Sequence, residues 1–192
     1  MIPFARVEEP DDFDSQVRKP GRKWLRKNPH ARRPRPLWDQ YRNELKDGFH
    51  NLCGYAAMLD PTGGTVDHYR SYKNFPHLAY EWDNYRFASA TMNSSKKNAD
   101  DEVLDPFEVG EGWFKIILPS LQMVTTNRVP MEYRAKAEYT LTRLKLRDGE
   151  QVIRWRRSWY ELFEEGRLSL EGLREVAPLI AEAVSSNMLQ NQ

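Results

Sequence analysis

The sequence predicts an α+β protein: a short strand–strand–helix unit embedded in a mainly helical chain, behind an extended basic arm. Three observations predict it. The breaker DPTGG at residues 60–64 is followed by the β-branched pair Thr65 and Val66, the pattern of a hairpin. Residues 37–52 and 152–184 repeat apolar side chains at helical steps. Residues 18–35, RKPGRKWLRKNPHARRPR, hold nine Lys or Arg and no acid, whereas EEPDDFD just before them carries five acids in seven positions.

Taken in order, the Pro- and Gly-punctuated basic block reads as an extended or partly disordered arm over residues 1–36, suited to a phosphate backbone or an acidic protein face, or else as a solvated tail. Next, Leu37, Tyr41, Leu45, Phe49 and Leu52 share one face of a helix, with Pro36 suited to its first turn. A short strand, the DPTGG turn and a second strand follow, with His68 near the end of the hairpin. The aromatic stretch FPHLAYEWDNYRFASA reads as a loop entering a short strand or helical turn around residues 80–87, and TMNSSKK as a short helix carrying Asn93 and Lys96 one turn apart.

Residues 103–130 alternate short apolar runs with Gly and Pro, which favours strands or irregular structure. Asp148 and Gln151 pair as a cap before a helix lined by Val152, Trp155, Trp159 and Phe163. A last helix starts near Ser169, with Leu168 and Leu173 as its staple and Leu170, Leu173, Val176, Ile180 and Val184 on its buried side; Pro178 must kink or split it. The chain thus divides into the arm (1–36), a core (37–130) and a C-terminal helical region (131–192).

The length of 192 residues suits one domain, and 40% apolar content supplies a core. With 29 basic and 28 acidic residues the net charge is +1, so overall charge neither demands nor excludes a polyanion. A single cysteine, Cys53, excludes an internal disulfide and a Cys-rich zinc site. No secretion-type leader and no membrane-length apolar run is present, so the expectation is a soluble cytoplasmic protein.

Asp67 and His68 are the chemical focus. Phosphodiester hydrolysis with one metal needs a base to deprotonate water and a cation to neutralise phosphate charge. Histidine suits the first role, and the hard oxygen donors of Asp and Asn suit Mg²⁺; Asp67, His68 and Asn93 supply that set. Taken alone, the pair fits equally a core histidine satisfied by a backbone carbonyl, beside an aspartate capping a turn.

The stretch from residue 53 to 97, CGYAAMLDPTGGTVDHYRSYKNFPHLAYEWDNYRFASATMNSSKK, resembles the ββα-metal core of HNH endonucleases. It is most similar to a branch with paired Cys-x-x-Cys, a Glu-His-Phe-Arg core and Trp-x-Asn, which includes the HNH subunit of Septu-type antiphage defence, a partner of an ATPase subunit. The resemblance implies Asp67 as acidic metal ligand, His68 as general base, Asn84 as the residue that braces the loop and orients the histidine, and Asn93 as second metal ligand. Arg70, Lys73, Lys96 and Lys97 become candidate nucleic-acid contacts.

The four zinc-binding cysteines of that branch read Cys53, Ala56, Ser89 and Met92, so no structural zinc is expected and Cys53, Ala56 and Met92 should pack in its place. The proline after the core is Ser71, and Lys73 lies one place late. His30, His50 and His77 take no chemical role, and Arg154, Arg156 and Arg157 read as an outer face or partner contact beside a core Trp155. The expected function is a metal-dependent DNA endonuclease using one Mg²⁺ or Mn²⁺, in an antiphage complex with an ATPase partner. Its alternatives are an inactive HNH-fold module that binds nucleic acid or protein, and an RNA-cleaving nuclease.

Overall fold

A computed structural model describes residues 1–190. The protein is α+β, with two small antiparallel sheets set among helices. The first difference from the sequence reading is the N-terminal arm. It is not extended throughout: a π-helical turn, Asp14–Arg18, runs into α1 (Lys19–Lys27), while residues 1–12 before it and 28–36 after it belong to no helix or strand. Beneath the charge block lies a stripe at intervals of four, Phe13, Val17 and Gly21, followed by Leu25. The Phe13 ring packs edge-on against Tyr41, Trp82 and Tyr85. Gly21 lies flat on Tyr80, where an added Cβ would come within 2.3 Å of the ring. Arg18 is tied to Glu9, Asp14 and Glu81, and Arg22 to Glu81.

The expected long helix over 37–52 is a 3-10 turn, Leu37–Tyr41, followed by α2 (Arg42–Gly48). His50 and Asn51, both at positive φ, then turn the chain. The hairpin also differs. No strand precedes DPTGG; residues 53–58 form a buried turn closed by Cys53 N donating to Met58 O, and only an isolated bridge joins Leu52 to Leu59. Instead β1 (Thr65–His68) pairs antiparallel with β2 (Tyr85–Ala88), in the register Val66 to Phe87 and Asp67 to Arg86. Gly64 sits at φ +64 against the Phe87 ring, a backbone and a space that glycine alone satisfies.

The short helix α3 (Ala90–Lys96) follows, capped by the Ser89 hydroxyl accepting from Met92 N. A second hairpin, β3 (Phe114–Ile117) with β4 (Gln122–Thr125), leads into α4 (Met131–Arg143), α5 (Glu150–Glu164), α6 (Leu170–Val176) and α7 (Pro178–Gln190). Pro178 splits the last two helices. The expected Asp148–Gln151 cap is not formed; Gly149 is the residue ahead of α5, without a side-chain cap. Arg156 is not on an outer face: it is 1% exposed and donates to the carbonyls of Leu121 and Leu146, because it stands four residues after buried Val152. No described helix is long and apolar enough to cross a membrane.

Strand alternation sorts the core into two parts. Val66, Tyr85 and Phe87 join an aromatic cluster with Phe4, Phe13, Trp38, Tyr41, Phe49 and Trp82, which binds the N-terminal segment to the sheet. Ala88 and Met92 join the larger cluster with residues 53–58, the second hairpin and the C-terminal helices. The two clusters run across the boundaries at 36 and 130 expected from sequence.

Candidate active site

Among the described residues β1 pairs with one strand only, β2. A cleft of about 620 Å³ runs past it and is lined by all four of its residues, Thr65, Val66, Asp67 and His68. Arg33, Pro34, Trp38 and Tyr72 line one part of it, and Ala90, Asn93 and Ser94 of α3, with Lys97 just after that helix, line another. The irregular end of the basic segment is therefore a wall of the cleft. Asp67 and His68, adjacent in an extended strand, leave it on opposite faces; the cleft along the edge is where both are met.

His68 lies on the aromatic face. Its ring stands edge-on to Trp38, Tyr85 and Tyr72 at centroid distances of 4.5, 5.1 and 5.7 Å. Its Nε2 is 2.9 Å from the Ala79 carbonyl, which also accepts from Tyr85 Oη at 2.8 Å. A carbonyl only accepts, so Nε2 carries the proton and Nδ1 keeps its lone pair. Burial pushes the imidazole below its usual pKa, against the smaller opposing effects of the Ala79 carbonyl and the Asp67 charge. His68 is thus a neutral, oriented imidazole with one basic nitrogen.

Asn84 ties the 16-residue connection between the strands to itself. Its Oδ1 accepts from Arg70 N at 2.8 Å, and its Nδ2 donates to the carbonyls of Arg70 and Leu78 at 2.9 and 3.1 Å. Leu78 precedes Ala79, so this amide fixes the segment whose carbonyl sets the His68 tautomer. Asp100 reinforces the same segment by accepting from Ser71 N and Asn74 Nδ2, both at 2.5 Å.

Asp67 lies on the other face, buried beneath α3. Its carboxylate accepts from Tyr55 Oη at 2.7 Å and faces Lys96 Nζ at 3.3 Å; the ammonium also donates to the His68 carbonyl at 2.8 Å. The Lys96 side chain is 0% exposed and that of Asp67 2%. Burial and the Asp67 charge push the Tyr55 hydroxyl well above its usual pKa, which keeps it a donor. Asp67 is therefore already neutralised by a cation of the protein itself, and Lys96 lies too deep to touch a phosphate from the cleft. Below the same face, Arg86 forms a second buried ion pair with Asp105.

Asn93 reaches β1 with Nδ2, which donates to Thr65 Oγ1 at 3.1 Å and the Val66 carbonyl at 3.4 Å. Its Oδ1 is left as the free end of the amide. Among the described residues no three His, Cys, Asp or Glu side chains gather as a metal-holding group. A divalent cation here would rest on Asp67 and Asn93 Oδ1 with water filling its other positions, a donor set that suits Mg²⁺ or Mn²⁺ in kind. The set fits that ion when Lys96 yields its place on Asp67.

The remaining candidates divide. Lys97, at φ +52 at the end of α3, lines the cleft and is exposed. Arg70 is exposed but held by Asp101 at 2.9 Å, and exposed Lys73 is not among the residues lining the cleft. Cys53 and Ser89 are hydrogen-bonded, with Ser89 N 3.2 Å from Cys53 Sγ, and Cys53, Ala56 and Met92 are all buried in one cluster. Sequence reasoning missed Trp38, Tyr72, Tyr55 and Arg33. Trp38 falls within the expected helix over 37–52 but off its apolar face, Tyr72 and Tyr55 carry no motif of their own, and only the basic block signals Arg33. Compared with known protein families and with curated proteins, the sequence gives no match.

Proposed function

We propose that the protein is an HNH-type nuclease that hydrolyses phosphodiester bonds in DNA at the cleft along β1. The observation that carries this reading is the hydrogen bond from His68 Nε2 to the Ala79 carbonyl, which leaves Nδ1 as a free base on a residue lining an open cleft. A histidine kept for packing alone needs neither the free nitrogen nor the cleft. In this reading Nδ1 takes the proton of the attacking water, and the Ala79 carbonyl, held through Asn84, keeps the ring in that tautomer as it becomes charged. A divalent ion on Asp67 and Asn93, when bound, supplies positive charge to the phosphate and to the departing 3′ oxygen. Arg33 and Lys97, exposed and lining different parts of the cleft, hold the strand by its backbone.

The Asp67–Lys96 pair favours a second reading, a binding module whose metal site has been closed by its own lysine. The two separate in a cleavage assay on supercoiled plasmid and single-stranded DNA, with Mg²⁺, Mn²⁺ or EDTA. Metal-dependent cutting by wild type, lost in folded His68→Ala, supports the nuclease. DNA binding without cutting by either protein supports the module. The antiphage role and the ATPase partner belong to this proposal through the resemblance alone, and a purified chain fully active without a partner would remove them.

A further inference from the structure

We propose that a hollow beside His68 receives one unpaired base, so that the substrate of this site is a single strand. This rests on the nuclease reading and adds the substrate class. The hollow measures about 370 Å³ and lies between the end of α1 with the loop after it and residues 72–77; its apolar walls are Leu25, Pro29, Pro34, Tyr72 and Pro76. It adjoins the cleft: Pro34 and Tyr72 line both. Tyr72 is the hinge of the arrangement: half-buried, it stands edge-on to His68 at 5.7 Å and forms a wall of the hollow.

A phosphate at His68 therefore has, within the reach of one nucleotide, an aromatic wall with proline faces around it. Such walls accept the π-face of any base, but only of a base that has left its stack and its pair. The occupant's charge follows from the same wall. Arg26 borders the hollow and Arg33 the cleft, both exposed and neither in an ion pair among the described residues, whereas Arg18 and Arg22 of the same block are engaged by Glu81. Asn28 and His77 add polar groups at the border for the edge of a base.

The test is fluorescence anisotropy of the full chain in EDTA, which prevents cleavage, with a labelled oligonucleotide offered single-stranded and as a duplex. The single strand should bind more tightly. Tyr72→Ala should lower its affinity by about tenfold or more, the loss of one base–aromatic stack, while Tyr72→Phe keeps it and duplex affinity is unchanged. Leu25→Asp, which puts a carboxylate into the hollow away from His68, should reproduce the loss. A scan placing 2-aminopurine at each position should show altered emission at one. Equal affinity for duplex, no effect of either substitution, or a flat scan overturns the proposal, and the hollow then belongs to a protein ligand. Failure of the nuclease reading is a separate result: no metal-dependent cutting while the binding pattern persists.

Discussion

Lys96→Met tests the relation between the buried pair and the metal. Methionine keeps most of the lysine's volume, so packing changes little, but Asp67 is left with Tyr55 and no counter-charge on a side chain only 2% exposed. Removing one partner of a buried ion pair costs about 3–5 kcal/mol. For a chain of this size that lowers the melting temperature by about 6–20 °C. The orphaned carboxylate is then free for a divalent ion, and Mn²⁺ at about a hundred times its dissociation constant returns about 2.7 kcal/mol. The assay is thermal or urea unfolding of wild type and Lys96→Met in EDTA and in Mn²⁺. Wild type should respond weakly because its ammonium holds the same oxygens, and the variant strongly. Asp67→Asn combined with Lys96→Met should recover stability without Mn²⁺ and lose the response. A variant as stable as wild type in EDTA, or one that Mn²⁺ does not stabilise, refutes the idea that ammonium and metal compete for Asp67.

Four further outcomes follow from the same geometry. Because burial depresses the His68 pKa below 6.5, its folded form resists protonation; it contributes stability above pH 6.5 that is lost as pH falls through the folded value, and cleavage should persist below 6.5 before declining. NMR titration of the ring checks this, and a midpoint at or above 6.5 contradicts it. Asn84→Ala orphans backbone groups of Arg70 and Leu78, costing about 1–3 kcal/mol for each group left unpaired; denaturant unfolding measures the cost, and cleavage should fall in the protein that remains folded. Arg33→Glu and Lys97→Glu should each weaken DNA binding and flatten its salt dependence by about one unit of slope, with unchanged melting temperature since both side chains are exposed. Gly21→Ala drives a methyl group into the Tyr80 ring and should destabilise by about 1–3 kcal/mol; a neutral result would mean that the N-terminal helix is not docked on the core.

The local features were legible in the sequence. Helical spacing marked α5, Pro178 marked the break between α6 and α7, and the short helix bearing Asn93 and Lys96 is α3. Charge misled at the N-terminus, because Lys and Arg on the outer side of a helix say nothing against the Phe13, Val17 and Gly21 stripe on its inner side. The strand ending at His68 was found, but its partner was taken from the nearest turn rather than from Tyr85–Ala88, seventeen residues beyond His68 at its first pair.

The sequence by itself determined that Asp67, His68, Asn84 and Asn93 occur in that order, on elements whose periods are local and can be counted. The tertiary structure decided which atoms those side chains meet. Ala79 sets the tautomer of His68, Lys96 neutralises Asp67, and the end of the basic segment walls the cleft. The physical reason is that a hydrogen-bond period repeats within one element, while a partner across the fold is chosen by burial and charge balance among residues far apart in the chain.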